Sequence, residues 1–469
     1  MHSARGRHTG AAARYDTTAV LRWLGNLLHS IIFVLVLVVA GLIYGLGRLG
    51  CFLFIWGPNR QRAVNKLRGY MLRITMSTLG ATFIKLGQVM STRPDLFPPE
   101  IIDQLRHLQD RLPPFSFTDV RKVVEEDLGK PLTELFAEID EKPVAAASVA
   151  QVHRARLRDG REVAVKVLRP RVRRQVERDQ VILIGLARLI AIRPVWRRSD
   201  PVGHVRHFVE AIHDQTDLRI EADNYTHFRK NFANNPNVSF PEVFPEYCSA
   251  RVLTMEFVRG TKIDALPTGT TYPKLAATVR QTMFKMCFED GFVHADLHPG
   301  NMVVQDNDRL VLFDAGLAKL LHEDILIQFI DMTKCIAMGT PDDIVAHLKR
   351  FHTYAGEINW EELRKDVTVF AETFRKQDTA RLEYGELIGD MFAIGRKHRV
   401  RPVTDMMLVF VALITAQGIG KMLEPDNNIW PEVGKFLMPI LMKRNERIPD
   451  TAEAKAAAGK DKDKASATA

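Results

Sequence analysis

Three side chains between Val293 and Gly316 have the types and spacing to do chemistry together: Asp296, Asn301 five residues later, and Asp314 eighteen residues after Asp296 in an Asp-Ala-Gly turn. Apolar, β-prone runs at 302–304 and 310–313 flank the polar stretch 305–309, so the order reads as a loop, a hairpin and a second turn. Phosphoryl transfer asks little covalent help of a protein. It needs one carboxylate near the acceptor hydroxyl, and a carboxylate with an amide oxygen to hold divalent metal against the phosphates. Asp296, Asp314 and Asn301 supply those three groups at the spacing this chemistry uses. The plainer reading, in which the acids are only turn residues and caps, has to account for a second matching set upstream.

That set begins with a hairpin. Residues 149–157 (V-A-Q-V-H-R-A-R-L) and 161–168 (R-E-V-A-V-K-V-L) are β-prone and are separated by Arg158-Asp159-Gly160, a hairpin signal. In the second strand Val163, Val165 and Val167 share one face, which puts Lys166 on the other with Ala164 and Leu168. A lone strand lysine is usually solvated, but V-A-V-K is where protein kinases place the lysine that pairs the nucleotide phosphates. Such a lysine needs an anionic partner. Residues 204–232 are helical in pattern and offer Glu210, Asp214, Asp217, Glu221 and Asp223, among which periodicity does not choose. Met255 to Val258 falls where a hinge would bond adenine through its backbone, with Glu256 and Val258 as the contacts.

Hydrophobic content of 46% with 26% charge excludes a disordered chain. The net charge of +9 is unevenly placed: no acid lies between Asp16 and Asp95, a stretch with nine basic residues, and the remainder balances at 56 basic and 56 acidic. Within that stretch Trp23 to Gly47 gives 25 residues without formal charge, bracketed by Arg22 and Arg48, where a bilayer crossing takes about 20. A cleaved signal peptide fits less well, since its apolar region is about 7–15 residues. More basic residues follow the segment than precede it, which predicts the C-terminal bulk on the inside. Residues 49–56 are apolar but too few to span, and read as interfacial or re-entrant. A basic block beside an apolar segment fits anionic lipid headgroups better than nucleic acid. Cys51, Cys248, Cys287 and Cys335 form no C-x-x-C pair and read as free thiols.

The chain divides into a flexible leader (1–22), a membrane anchor (23–58), a helical region (60–142) that contains Lys85, Gly87 and Gln88, a mixed part (143–260), a mostly helical part (261–447) and a disordered tail (448–469). Residues 172–193 read as a packing helix, 237–244 and 251–258 as strands, 272–290 as a helix and 321–443 as helical. Within the last, 406–416 reads as a buried core helix too short to span, and 412–420 as a tight helix end.

The K-x-G-Q motif (Lys85 to Gln88) with its S-T-R-P-D-L-F-P-P-E sequel, the A-A-A-S loop at 145–148 and H-A-D-L-H-P-G-N at 294–301 occur in an order that resembles the UbiB/ADCK group of atypical, protein-kinase-like proteins of ubiquinone biosynthesis, over residues 70–435. The resemblance implies an α+β, two-lobed kinase-like fold with a helical N-terminal extension, here preceded by a transmembrane helix. It implies that Lys85, Gly87 and Gln88 are regulatory and that the extension folds across the cleft. It implies that Val144, Ala145, Ala146, Ala147, Ser148, Val149, Ala150, Gln151 and Val152 cover the nucleotide phosphates. Alanine resists positive φ, so that loop should be stiffer than a glycine-rich one. Lys166 then contacts the phosphates and pairs with Glu221, Asp296 is the general base or orients the hydroxyl, and Asn301 with Asp314 holds Mg²⁺. Two departures stand out. The family's Glu-x-Asp triplet corresponds to Gln215-Thr216-Asp217, which removes a charge partner for Lys85, and Ala315 replaces the phenylalanine of Asp-Phe-Gly.

The implied activity is a membrane-anchored atypical kinase or ATPase that binds ATP (or ADP) with Mg²⁺ in support of ubiquinone biosynthesis, at a bacterial inner membrane with the kinase-like part cytoplasmic, or alternatively at a mitochondrial inner membrane. Anionic lipids, isoprenoid quinone precursors and quinone-biosynthesis enzymes are the expected partners, and nucleic acid is not. Two alternatives remain open. His298 makes the loop similar to that of small-molecule kinases with a hydroxyl acceptor, and the alanine-rich loop with the basic anchor suits a nucleotide-gated pseudokinase that binds isoprenoid lipids. His294 and His298 as a zinc pair lack further ligands.

Overall fold

The computed structural model describes residues 17–425, apart from 58, 92, 94–96, 109–112, 194–199, 307, 355, 377–383 and 403. The readings for 1–16, for 426–469 and for most of the S-T-R-P-D turn lie outside these residues. Residues 49–54, read as an interfacial or re-entrant part of the anchor, continue its helix: α1 (Thr17–Phe54) is one helix. No proline interrupts it, and it ends only where Gly57 turns to φ 68° ahead of Pro58. There follow α2 (Asn59–Leu79), α3 (Ala81–Ser91), α4 (Pro99–Leu105), α5 (Phe117–Leu128), α6 (Leu132–Leu135), β1 (Phe136–Ile139), β2 (Ala145–Ala146), β3 (Ala150–Leu157), β4 (Glu162–Leu168), α7 (Val172–Ala191), α8 (Pro201–Asp214), α9 (Leu218–Asn231), β5 (Val238–Ser239), β6 (Val252–Glu256), β7 (Thr261–Lys262) and α10 (Pro273–Phe284). The chain continues with β8 (Phe292–His294), β9 (Met302–Val304), β10 (Leu310–Leu312), β11 (Ala318–Leu320), α11 (Glu323–Met338), α12 (Pro341–Phe351), β12 (Thr353–Tyr354), α13 (Trp360–Lys376), α14 (Tyr384–His398), β13 (Val400–Arg401) and α15 (Thr404–Leu423).

These elements form two compact units. The first is helical and gathers α1–α4 with α7 and α8. Its core brings Phe33 of α1 onto Phe83 of α3, ring centroids 5.5 Å apart, beside Leu105, Val176, Leu183 and Phe208. The Thr82 hydroxyl donates to Asp179 at 2.5 Å inside that core. Gly87 is needed for packing, since a Cβ there would lie 2.2 Å from Leu108 Cδ1 and 2.6 Å from Met76 Sδ. Lys85 is buried, and the Gln88 amide reaches the Leu108 carbonyl at 3.5 Å. One face of α1 packs through Phe33 and Leu37, while Val34, Leu35, Val38, Leu42 and Leu46 stay exposed. The segment Ser30–Phe54 is long and apolar enough to cross a membrane.

The second unit carries the mixed region. Its first sheet runs β1-β3-β4-β6, with β2 added on β3. The β3–β4 hairpin turns at Asp159-Gly160, Gly160 at φ 92°, and pairs Val152 with Lys166. Val163, Val165 and Val167 are fully buried under Val120, Val124, Leu135 and Phe136. The sequence predicts helix through 60–142, but Phe136–Ile139 is a strand, because it completes the edge of β3. The helix expected at 204–232 is broken at 215–217: Thr216 bonds back to the His213 carbonyl at 2.8 Å and Asp217 caps α9. The strand expected at 237–244 shortens to Val238–Ser239, with Pro241 unable to donate to a ladder.

Residues 412–420 are not a helix end. Ala412, Ala416 and Gly420 recur every four residues along α15 and let it close on α10, where Gly420 lies near Arg280. At 20 residues α15 is also longer than the 11-residue helix read there; it is long and apolar enough to span, yet most of it is buried, as a core helix should be. Nor is 321–443 all helical, since β12 and β13 pair between α12 and α15.

His352, just after α12, is pushed down to about 3, first by burial and then by neighbouring His347. Below the ordinary value of 6.5 the unfolded chain takes up a proton that the folded chain refuses, so this stability is complete above pH 6.5 and is lost as pH falls towards 3. Thermal unfolding followed from pH 7.5 to 5.5 should therefore show a shallower decline in His352→Leu than in the wild type, and an identical decline would refute the assignment.

Candidate functional site

The second unit assembles its polar centre around one ammonium. Strand alternation puts Lys166 on the face of β4 opposite the valines. Helix α9 starts at Leu218 because the Asp217 carboxylate accepts from the Arg219 amide and the Leu218 amide donates to the Ala250 carbonyl at 2.9 Å. One turn in, Glu221 is 4% exposed, and an acid there is favoured by the helix N-terminus. Lys166 Nζ donates to both Glu221 oxygens at 2.8 Å and to Asp314 Oδ1 at 2.9 Å. Burial works against its charge, but the Asp314 and Glu221 carboxylates outweigh it and hold the lysine pKa well above its ordinary value.

The acids arrive by a closed loop. Strands β8 and β11 pair His294 with Ala318, which pins both ends of the segment between them. Within it β9 and β10 form the short hairpin, and the Phe313 amide donates to the Asn301 carbonyl at 2.9 Å, so Asn301 and Asp314 emerge at the same end. The Asn301 amide donates to the Asp296 carbonyl at 3.1 Å, tying the loop to the hairpin. His298 accepts from the Gly300 amide at 3.1 Å and so caps the turn that carries Asn301. His294 is buried, which lowers its pKa below the ordinary histidine value, and its Nε2 donates to the Phe313 carbonyl at 3.0 Å. Neither histidine is arranged for zinc, and among the described residues no group of three or more histidines, cysteines or acids could hold a metal.

Other expected site residues are placed less directly. Residues 144–152 form a tight hairpin in which Ala145 pairs with Val152, the Ala147 amide donates to the Ala150 carbonyl at 2.8 Å, and Arg169 donates to the Ala147 carbonyl at 2.9 Å. None of its residues has positive φ. The Gln151 amide bonds both the amide and the carbonyl of Phe115, and Ser148 is fully buried. The Glu256 amide donates to the Glu242 carbonyl at 2.7 Å, and Val258 follows the end of β6. Gln215 has a buried side-chain oxygen without a hydrogen-bond partner, and Asp217 is ion-paired with Arg219. Lys85, Gly87 and Gln88 lie in the helical unit. Asn224 and Tyr225 were missed by the sequence reading. They bond the Ala315 carbonyl and the Asp314 amide, each at 2.8 Å, and their only signal was their position three and four residues beyond Glu221.

A strand lysine paired with a helix glutamate, beside a loop-hairpin-turn that presents two aspartates and an asparagine, is the arrangement of a kinase-like domain. The ABC1 atypical kinase-like domain family matches residues 107–347, and the UbiB helical domain family matches 367–428. Curated relatives named "probable protein kinase UbiB" include those of Sodalis glossinidius, 32% identical over 83% of this chain and 73% of the relative, and of Vibrio cholerae, 32% identical over 81% and 71%. Another, of Serratia proteamaculans, is 33% identical over 83% and 73%. The chain belongs to this UbiB family of atypical kinases. A solved structure of the Rv3197–erythromycin complex from Mycobacterium tuberculosis is 21% identical over 72% of this chain and 91% of that one, with a TM-score of 0.46, too slight a likeness to inform the fold.

Removing one partner of a buried pair strands the other charge, at a cost of about 3 kcal/mol. Lys166→Met, which strands the buried Glu221 carboxylate, should destabilise the chain by about that amount, whereas Lys166→Met/Glu221→Leu should cost less than the two single changes together. Denaturant titration of the three variants measures this, and additive costs would refute the coupling.

Proposed function

We propose that the chain is a membrane-associated atypical kinase or ATPase that binds adenine nucleotide with Mg²⁺ and transfers or hydrolyses the γ-phosphate in support of ubiquinone biosynthesis. The observation that carries this reading is Lys166 held at 2.8–2.9 Å between Glu221 and Asp314, a charge already oriented for phosphate oxygens. Glu221 keeps the lysine in place when Asp314 releases it to nucleotide. Asp296 orients the hydroxyl or water that attacks, and the backbone of Glu256 and Val258 meets the adenine edge. The alanine-rich hairpin, lacking positive φ, closes over the phosphates as a stiff flap.

The residues present fit Mg²⁺. The Asn301 amide nitrogen is bonded to Asp296, which leaves its oxygen for a cation, and the Asp314 side chain is 44% exposed. Hard oxygen donors from one carboxylate and one amide, with phosphates completing the shell, suit this ion. Mg²⁺ supplies neutralisation of the phosphate charge.

The exposed apolar face of α1 and the basic residues Arg62, Lys66 and Arg68 of α2 support a partner surface of anionic lipid. On this reading isoprenoid quinone precursors and quinone-biosynthesis enzymes are the further partners, Lys85, Gly87 and Gln88 are regulatory, and the protein works at a bacterial inner membrane with its kinase-like part cytoplasmic, a location the bacterial source of its relatives supports.

The deciding experiment is ADP and phosphate release by the full chain with Mg²⁺-ATP, with and without anionic liposomes, using Asp314→Asn as the blank. Release that depends on Asp314 and rises with liposomes is expected. Nucleotide binding without release would favour the nucleotide-gated lipid-binding reading, and neither would sink the proposal. Deleting residues 1–58 should move the protein from the liposome pellet to the supernatant in a flotation assay; retention would put the lipid contact elsewhere.

A further inference from the structure

The Asp314-Ala315-Gly316 turn lacks the aromatic side chain whose packing sets the metal-binding aspartate of protein kinases, yet its backbone is held at two points. Asp314 sits at φ 56°, a left-handed conformation uncommon for residues with a Cβ and tolerated best by aspartate and asparagine. Its amide donates to the Tyr225 hydroxyl at 2.8 Å, and the next carbonyl, of Ala315, accepts from the Asn224 side chain at 2.8 Å. Tyr225 is fully buried and Ala315 is 1% exposed, so both contacts are shielded from water. Asn224 and Tyr225 follow Glu221 on the same face of α9, at i+3 and i+4.

We infer that Asn224 and Tyr225 are positioning residues that replace the missing aromatic: α9 holds the Asp314 turn by two backbone hydrogen bonds, and the helix that gives Glu221 to Lys166 also sets where the Asp314 carboxylate stands. An aromatic side chain can leave its pocket while the helix stays. A hydrogen-bonded turn moves with the helix. The backbone that carries Asp314 therefore follows the helix that carries Glu221, and flipping the turn away while the lysine pair stays formed costs both hydrogen bonds. The consequence for metal rests on the proposed role of Asp314; the hold on the turn does not.

The test uses the full chain with Tyr225→Phe, which deletes only the accepting oxygen, and Asn224→Ala. Hydrogen exchange by mass spectrometry should show the peptide spanning 313–317 exchanging at least tenfold faster in Tyr225→Phe, less so in Asn224→Ala, with the peptide over β6 unchanged. Mn²⁺ titrated by electron paramagnetic resonance in the presence of a non-hydrolysable ATP analogue should bind at least tenfold more weakly, while affinity for the analogue without metal stays within twofold. A merely structural role would lower both affinities together. Unchanged exchange at 313–317 in both variants overturns the inference whatever the metal result. Faster exchange in a protein whose wild type binds no Mn²⁺-nucleotide keeps the hold on the turn and sinks the proposed function. Should Tyr225→Phe fail to fold, Asn224→Ala decides alone, and unchanged exchange there overturns the inference.

Discussion

An ammonium largely withdrawn from water between two carboxylates is the constraint on which this unit of the structure depends. Removing Lys166 from water costs several kcal/mol, and the cost is met only because Glu221 and Asp314 reach it from different elements at 2.8 and 2.9 Å. A strand, a helix and a turn that are remote in sequence are thereby bound to one point. The valines on the back of β4 fix the strand, and the pair fixes what stands in front of it.

Helix α9 distributes that constraint. Along one face Glu221 meets the lysine, Asn224 and Tyr225 hold the Asp314 turn, and Phe228 packs its ring on Phe292 at 4.7 Å and on Phe240 at 4.8 Å. His294, beside Phe292 in β8, secures the turn from the other side through the Phe313 carbonyl. Polar and apolar contacts on the same helix therefore act together: the aromatic cluster sets the distance of α9 from β5 and β8, and the hydrogen bonds set the conformation of the turn.

The alanine-rich hairpin and Gly87 show opposite uses of the Cβ. Where a glycine-rich loop could visit positive φ, residues 144–152 keep extended or turn geometry and are clamped by Arg169. In α3 the absent Cβ of Gly87 is what allows Leu108 and Met76 to close on the helix. The same K-x-G-Q glycine that reads as a motif is thus a packing requirement within the helical unit.

The sequence by itself determined the groups and their order. Lys166 was legible because strand alternation is local, and Asp296, Asn301 and Asp314 because a hairpin of two three-residue strands between turn signals has few ways to fold. The family was legible from motif order alone. Periodicity leaves five acids open as the partner of Lys166; the family resemblance singles out Glu221, and the tertiary structure supplies the physical reason, because the break at 215–217 that starts the helix depends on contacts with Ala250 and Arg219. Only the tertiary structure decided that Phe136–Ile139 is a strand, that 412–420 is a contact face, and that Asn224 and Tyr225 serve Asp314. Each of these is a long-range pairing, and a pairing is selected by the free energy of burying both partners together, which neither segment carries alone.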